Sequence, residues 1–223
     1  MIITEKKTNA KFRVRDDTYD REVVKECFGL SYFNDKIKYN QNDIVFDVGA
    51  NIGAFAVRVA PFVQTVHSFE PDSDNYSLAK ENLALNNISN VHLHDHALIA
   101  SDATTIDFFI NTKTNKGAHS CLPIRGREKV TIQAKRFSSL VRQLKPTIIK
   151  MDIEGAEWDI LTANDTDWSS VRSFIFEWHP NVVKDKNFKK LDILEDILRT
   201  HFNTVITPKR TKAWNMLIYA LKD

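Results

Sequence analysis

DIVFDVGANIGAF, residues 43–55, decides the fold. DIVFDV is a compact apolar run flanked by acids, the pattern of a strand buried on both faces. Gly49 and Gly53 punctuate a turn, and NIGAFAVRVA (51–60) continues as a helix closed before Pro61. A strand passing through a glycine turn into a helix opens a βαβ unit. Outward from it the alternation repeats. TVHSFE (65–70) is a second strand, SDNYSLAKENLALNN (73–87) a helix with Ser73 as its N-cap, and NVHLH (90–94) a third strand. TIIKM (147–151) and SFIFEW (173–178) are further core strands. KKLDILEDILRTHF (189–202) is an amphipathic helix with Leu191, Leu194, Ile197 and Leu198 inward, and NTVIT and NMLIYALK are two closing strands. Upstream, YDREVVKECFG (19–29) is a short helix ended by Gly29. TTIDFFI (104–110) and KVTIQAK (129–135) alternate around a long loop. The expectation is an α/β protein with a parallel sheet covered by helices on both faces. One domain spans 1–223, with an N-terminal helical lid segment at 1–42, a Rossmann-like core at 43–223 and a β insert at 104–136.

Bulk properties narrow the function. The chain has 223 residues, 43% hydrophobic and 27% charged, with a formal net charge of +2. That balance gives no strong nucleic-acid or anionic-membrane signal. The basic clusters Lys184/Lys186/Lys189/Lys190 and Lys209/Arg210/Lys212 read as solvated faces. Cys27 and Cys121 form no CxxC pair, which favours a reduced, cytoplasmic protein. MIITEKKTNAKFRVRDD is too charged for a secretory leader, and no apolar run approaches the roughly 20 residues of a membrane span. A monomer or homodimer is expected.

Parallel α/β sheets bind ligands beyond the carboxyl ends of their strands. Those ends carry Asp47, Glu70, His94 to His96, Asp152 and Glu177 to His179. Gly49 and Gly53 are spaced GxxxG; the loop lacks the GxGxxG of a dinucleotide cradle, and no GK[ST] is present. An acid ending the second strand suits ribose hydroxyls. Asp47, Glu70 and Asp152 would repel phosphate but suit the cationic, phosphate-free adenosyl donor S-adenosylmethionine.

DVGANIGAF (47–55), FEP (69–71), DHAL (95–98) and KMDIEGAE (150–157) together resemble the FkbM-type family of S-adenosylmethionine-dependent methyltransferases. The resemblance runs from about 43 to 180 and more weakly upstream. It implies a class I methyltransferase fold, a three-layer sandwich around seven strands with the last antiparallel. It also implies methyl transfer to a hydroxyl oxygen of a sugar, glycan or small secondary metabolite, leaving S-adenosylhomocysteine. Carried over residue by residue, Asp47, Gly49, Asn51 and Gly53 line the methionine end. Glu70 holds the ribose, and Asp95, His96 and Ala97 border the adenine. Ala50, Ala54, Phe55 and Pro71 complete the cofactor-binding set. The segment KRFSSLV departs from the family, having Phe137 and Ser138 where an Asp after a Leu is frequent.

The second acidic stretch is IIKMDIEGAEWDI (148–160). Alternation puts Ile148, Lys150 and Asp152 on one face and Ile149 and Met151 on the other. Asp152 then ends the strand beside the sulfonium, and Glu154 faces the acceptor. Glu157 and Asp159 open the next helix, where acids complement the dipole. A lysine within a central strand needs an acid, and Glu177 is its expected partner. His179, with an ordinary pKa near 6.5, is a candidate general base. Asp152, Glu154, Glu177, His179 and Lys150 are thus the catalytic candidates. The four acid and histidine residues also suit Mg²⁺ or Mn²⁺, but nothing in the spacing demands an ion, and a metal-free site is the favoured expectation. The loop TNKGAHS (114–120) offers Asn115, Gly117, His119 and Ser120 to the acceptor. An N-methyltransferase or nucleic-acid methyltransferase is disfavoured by the absence of an NPPY-type tetrapeptide and of a basic surface. A cofactor-binding partner protein without chemistry is the alternative of another class.

Overall fold

A glycine turn between a buried strand and a helix recurs as the organising unit in the computed structural model, which describes residues 1–29, 32–111, 119–123, 126–210 and 215–222. A short hairpin of β1 (Ile2–Thr4) and β2 (Lys11–Arg13) precedes helix α1 (Asp20–Cys27). The core begins with β3 (Ile44–Val48), α2 (Ala54–Val59), β4 (Thr65–Phe69), α3 (Ser73–Leu85) and β5 (Val91–His94). An insert follows, built of β6 (Ala97–Ile99), β7 (Thr105–Ile110) and β8 (Glu128–Arg136), and leads into α4 (Phe137–Leu144). The chain closes with β9 (Ile148–Met151), α5 (Glu157–Thr162), β10 (Ser173–Trp178), α6 (Lys189–Arg199), β11 (Thr204–Ile206) and β12 (Met216–Leu221).

Seven strands form one sheet in the order β5-β4-β3-β9-β10-β12-β11. Only β12 runs against the rest, paired antiparallel with both β10 and β11. The period-two alternation sorts the strands between two cores. Phe46, Ile149, Phe174 and Phe176 face Val141 of α4, Leu161 of α5 and Leu194 of α6. Val45, Ile148 and Ile175 face Val24 of α1, Phe55 of α2 and Leu78 of α3. Each such fully buried side chain contributes about 1.5–3 kcal/mol, and the result is the three-layer α/β sandwich.

Local chemistry shifts two predicted boundaries. Helix α2 starts at Ala54 rather than Asn51, because Asn51 (φ 51°) and Gly53 (φ 78°) are left-handed. The cap of α3 is Asp72 rather than Ser73, since the Asp72 carboxylate accepts the Asn75 N–H and so satisfies an orphan donor of the first turn. The hairpin is tied to α3 by side-chain amides: Arg13 N–H donates to Asn82 Oδ1 at 2.7 Å, and Lys11 N–H to Asn86 Oδ1 at 2.8 Å. Arg15 grips Asp20 and Asn75, fixing the start of α1 over the sheet's carboxyl end.

Three neighbouring histidines occupy β4 and β5. His67 stacks on His92 and on His94, and one proton bridges His67 Nδ1 and His94 Nε2 at 3.2 Å. Burial and the neighbouring rings push His67 down to about 4; burial, His96 and Lys135 do the same for His94. In the unfolded chain both titrate near 6.5. The unfolded state therefore binds more protons between about 6.5 and 4, so stability falls as pH drops through that window and levels off below it. The double variant His67→Phe/His94→Phe is expected to flatten part of the decline in urea midpoint between pH 7 and 4.5. An unchanged pH slope would refute the assignment.

Candidate active site

The chain leaves β3 so tightly that Gly49 and Ala50 both donate their N–H to the Phe69 carbonyl at 3.0 Å. Gly49 has φ +81°, and a Cβ there would lie 1.9 Å from the Asp152 carbonyl oxygen. The glycine lets the ends of β3 and β9 touch. Glu70, just past β4, is buried and accepts two backbone N–H groups, from Asn51 at 2.7 Å and Asp72 at 3.0 Å. Burial pushes its carboxyl up to about 7, against those two N–H groups, which favour the anion. A ligand hydroxyl donating to Glu70 would complete the solvation of this acid.

Beside Glu70 opens a narrow cleft. Gly49, Asn51, Glu70, Pro71, His96, Ala97 and Phe108 are among its lining residues. The buried His96 Nε2 has no hydrogen-bond partner among the described residues, leaving a polar group to meet a ligand. A second, wider cavity is also lined by Asn51, Asp152 and Glu154. Those three residues line both spaces.

Charge is concentrated at that shared wall. His179 Nε2 lies 3.7 Å from Asp152 Oδ1, 3.9 Å from Glu154 Oε1 and 3.7 Å from Glu177 Oε1, and its Nδ1 lies 3.7 Å from Glu157 Oε1. Burial disfavours the charged ring, but Glu157, Glu154 and Asp152 overcome it and lift His179 to about 10. With no ion in place, these carboxylates favour the imidazolium over the free base that its ordinary pKa suggests. Burial, with Asp152 beside it, raises Glu154 to about 7 and pushes Glu177 higher still, opposed in each case by His179. Glu157 opens α5 as expected, and its fully buried carboxylate also accepts the Ile153 and Gly155 N–H groups, holding the 152–155 turn. Glu154 (φ 54°) and Gly155 (φ 106°) make that turn left-handed.

Several expected site residues stand elsewhere. Lys150 is buried but does not pair with Glu177. Its Nζ donates to the Gly49 carbonyl at 2.8 Å and lies 3.3 Å from Asp47 Oδ1. Register explains this: Lys150 is level with Asp47 on β3 and with Ile175 on β10, leaving Glu177 two residues beyond it. Asp47 is fully buried against Lys150 and the Ser68 hydroxyl rather than lining the cleft. Ala50, Ala54 and Phe55 are core residues, and Gly53 packs on Ala79 of α3. The Asp95 side chain is 81% exposed and lies outside the cleft wall. His119 borders the first cleft rather than the second, and Ser120 anchors the turn by donating to the Glu154 carbonyl at 2.7 Å. Asn115 and Gly117 lie outside the described residues.

The N-terminal helix is an expected part of the lid, but sequence reasoning does not single out its individual wall residues. Tyr19, Glu22, Val23 and Glu26 of the α1 segment line the second cavity, and Tyr32 donates its hydroxyl to Glu177 Oε2 at 3.3 Å. The i, i+3, i+4, i+7 spacing of the α1 set marks one helix face and was the available signal. Arg127, beside Glu154, had none.

Comparison with known proteins gives this geometry a context. A family model described as the methyltransferase FkbM domain matches residues 47–202. Methyltransferase 1 of Beauveria bassiana is 26% identical over 179 residues, 69% of this chain and 69% of its own. Hexuronic acid methyltransferase AglP of Haloferax volcanii is 26% identical over 171 residues, 77% of this chain and 67% of its own. The crystal structure of methyltransferase FkbM from Methylobacillus flagellatus KT superposes with a TM-score of 0.57 at 19% identity, covering 85% of this chain and 46% of that one. This chain therefore spans about half the length of that solved protein, and the likeness is one of fold.

Proposed function

The chain belongs to the FkbM family of S-adenosylmethionine-dependent methyltransferases, and from that premise we propose that it methylates a hydroxyl oxygen of a sugar, glycan or small secondary metabolite. The observation that carries this reading is the wall of Asn51, Asp152 and Glu154 shared by two cavities. The narrower cleft takes the donor, with Glu70 receiving the ribose hydroxyls and His96 and Ala97 flanking the adenine. The wider cavity takes the acceptor. The two ligands then meet at the shared wall, with the acceptor oxygen in line behind the methyl carbon. Holding that geometry is worth up to roughly 7–11 kcal/mol. As the new C–O bond forms, the C–S bond breaks and S-adenosylhomocysteine leaves. The acceptor's proton passes to a carboxylate of the wall.

Charge favours a neutral or cationic acceptor. Five acids, Glu22, Glu26, Asp152, Glu154 and Glu177, line the wider cavity against two basic groups, Arg127 and His179. The archaeal relative is named for a hexuronic acid; these walls would repel one. Calorimetry tests the donor half and methyl release the acceptor half. The wild-type protein should bind S-adenosylmethionine, with affinity about 100-fold weaker in Glu70→Ala, or about 2.7 kcal/mol. Neutral glycosides should exceed uronic acids about tenfold in kcat/KM. No uptake of the donor by the wild type, or equal affinity in the variant, would sink the reading.

A further inference from the structure

We propose that Asp152, Glu154 and His179 form a divalent-cation site at the mouth of the acceptor cavity. This deepens the function proposed above and rests on it for the identity of the neighbouring space. One oxygen from each acid and one ring nitrogen all lie within 4.8 Å of one another. The spacing is the first argument. The His179 Nε2 contacts of 3.7 Å to Asp152 and 3.9 Å to Glu154 are too long for hydrogen bonds. Ligand atoms that each sit roughly 2.0–2.2 Å from a shared ion are held about 3–4 Å apart.

The burial of His179 is the second argument, independent of the acids. The residue is 6% exposed and lines the cavity, and its buried Nδ1 has no hydrogen-bond partner among the described residues. A buried imidazole aimed into a cavity without a hydrogen bond is expensive unless something there completes it. Glu157 stands behind it, 3.7 Å from Nδ1, on the side where a carboxylate faces the second nitrogen of metal-bound histidines. Glu157 is itself immobilised by two backbone N–H groups. Asp152 (31% exposed) and Glu154 (21% exposed) retain open faces, so an ion held there keeps coordination positions for an acceptor oxygen. Two carboxylates with one imidazole suit Mn²⁺ or Mg²⁺, the arriving ion displacing the proton that the carboxylates hold on His179 in its absence. An ion so placed would lower the pKa of a bound hydroxyl. The sequence favoured a metal-free site because the two acids precede the histidine by some 25 residues, and no ligand spacing joins them.

The test uses the full chain, treated with EDTA and desalted, then titrated with Mn²⁺ while the free-ion electron paramagnetic resonance signal is followed. One ion per chain should be taken up. His179→Ala and Glu154→Gln should each weaken uptake at least tenfold. His179→Ala should still bind S-adenosylmethionine within about threefold of the wild type, since His179 lines only the wider cavity. Donor binding also reports folding; should His179→Ala fail to fold, Glu154→Gln carries the comparison. Mn²⁺ uptake that is absent in the wild type, or equal in wild type and folded variants, overturns the site. In that case intact donor binding leaves the methyltransferase reading standing, whereas loss of donor binding in the wild type strikes that reading instead.

Discussion

Gly49→Ala is expected to be the most damaging small substitution in this protein, costing about 4 kcal/mol or more and abolishing donor binding. Two effects add. At φ +81° an alanine pays roughly 1–2 kcal/mol for the left-handed backbone alone. Its Cβ would also lie 1.9 Å from the Asp152 carbonyl oxygen and 2.9 Å from the carbonyl carbon. Backbone cannot rotate aside as a side chain can. Asp152 is further pinned by its own N–H, which donates to the Val48 carbonyl at 2.9 Å. Relief requires β3 and β9 to part where Asn51, Glu70 and Asp152 converge. The other glycines provide an internal scale. A Cβ at Gly53 (φ +78°) meets Ala79 Cβ at 3.2 Å, a contact α3 can relax, and one at Gly126 (φ +83°) meets nothing within 4 Å. Urea denaturation should rank Gly49→Ala well below Gly53→Ala, and Gly53→Ala below Gly126→Ala. Comparable midpoints for the three would contradict the close-approach argument.

That glycine also shows what the sequence reveals and what it withholds. DIVFDV followed by glycines is local information: apolar continuity and turn chemistry both lie within ten residues, so strand, turn and helix could be read directly. Acids at successive strand ends were legible for the same reason, because a parallel sheet brings all carboxyl ends to one edge. Lateral register was not legible. Strand β9 has acids on both neighbours, and only the pairing of Asp47 with Lys150, against Ile175 with Lys150, decides which one neutralises the lysine. The motif was also read too generously. Ala54 and Phe55 belong to DVGANIGAF, yet both are spent on packing α2 into the core. β6, at three residues, is too short to show a period. The α1 wall of the second cavity has a readable helical face, but where that face docks depends on Asn82 and Asn86 of α3 holding the N-terminal hairpin and on Arg15 gripping Asp20 and Asn75.

Lys150→Met tests that register. Burial works against the charge on Lys150, but Asp47 and then Asp152 hold it protonated. Its ammonium is 3.3 Å from Asp47 Oδ1, and both side chains are almost completely shielded from water. Removing one partner of a buried pair leaves the other charge uncompensated, a loss of about 3–5 kcal/mol. For a chain of this size that lowers the melting temperature by roughly 6–20 °C. Methionine roughly conserves volume, so the loss reports charge rather than a cavity. The companion Asp47→Asn/Lys150→Met removes both charges, and replacing a whole buried pair is often close to neutral. It should recover much of the stability lost in the single variant. Donor affinity should not recover with it, because the Lys150 ammonium also binds the Gly49 carbonyl at 2.8 Å and so tethers the cofactor loop. Two outcomes would remove Lys150 from this role: a single variant as stable as the wild type, or a double variant no better than the single. A Glu177→Gln/Lys150→Met double that rescued equally well would instead restore the pairing expected from sequence, against the register of β9 and β10.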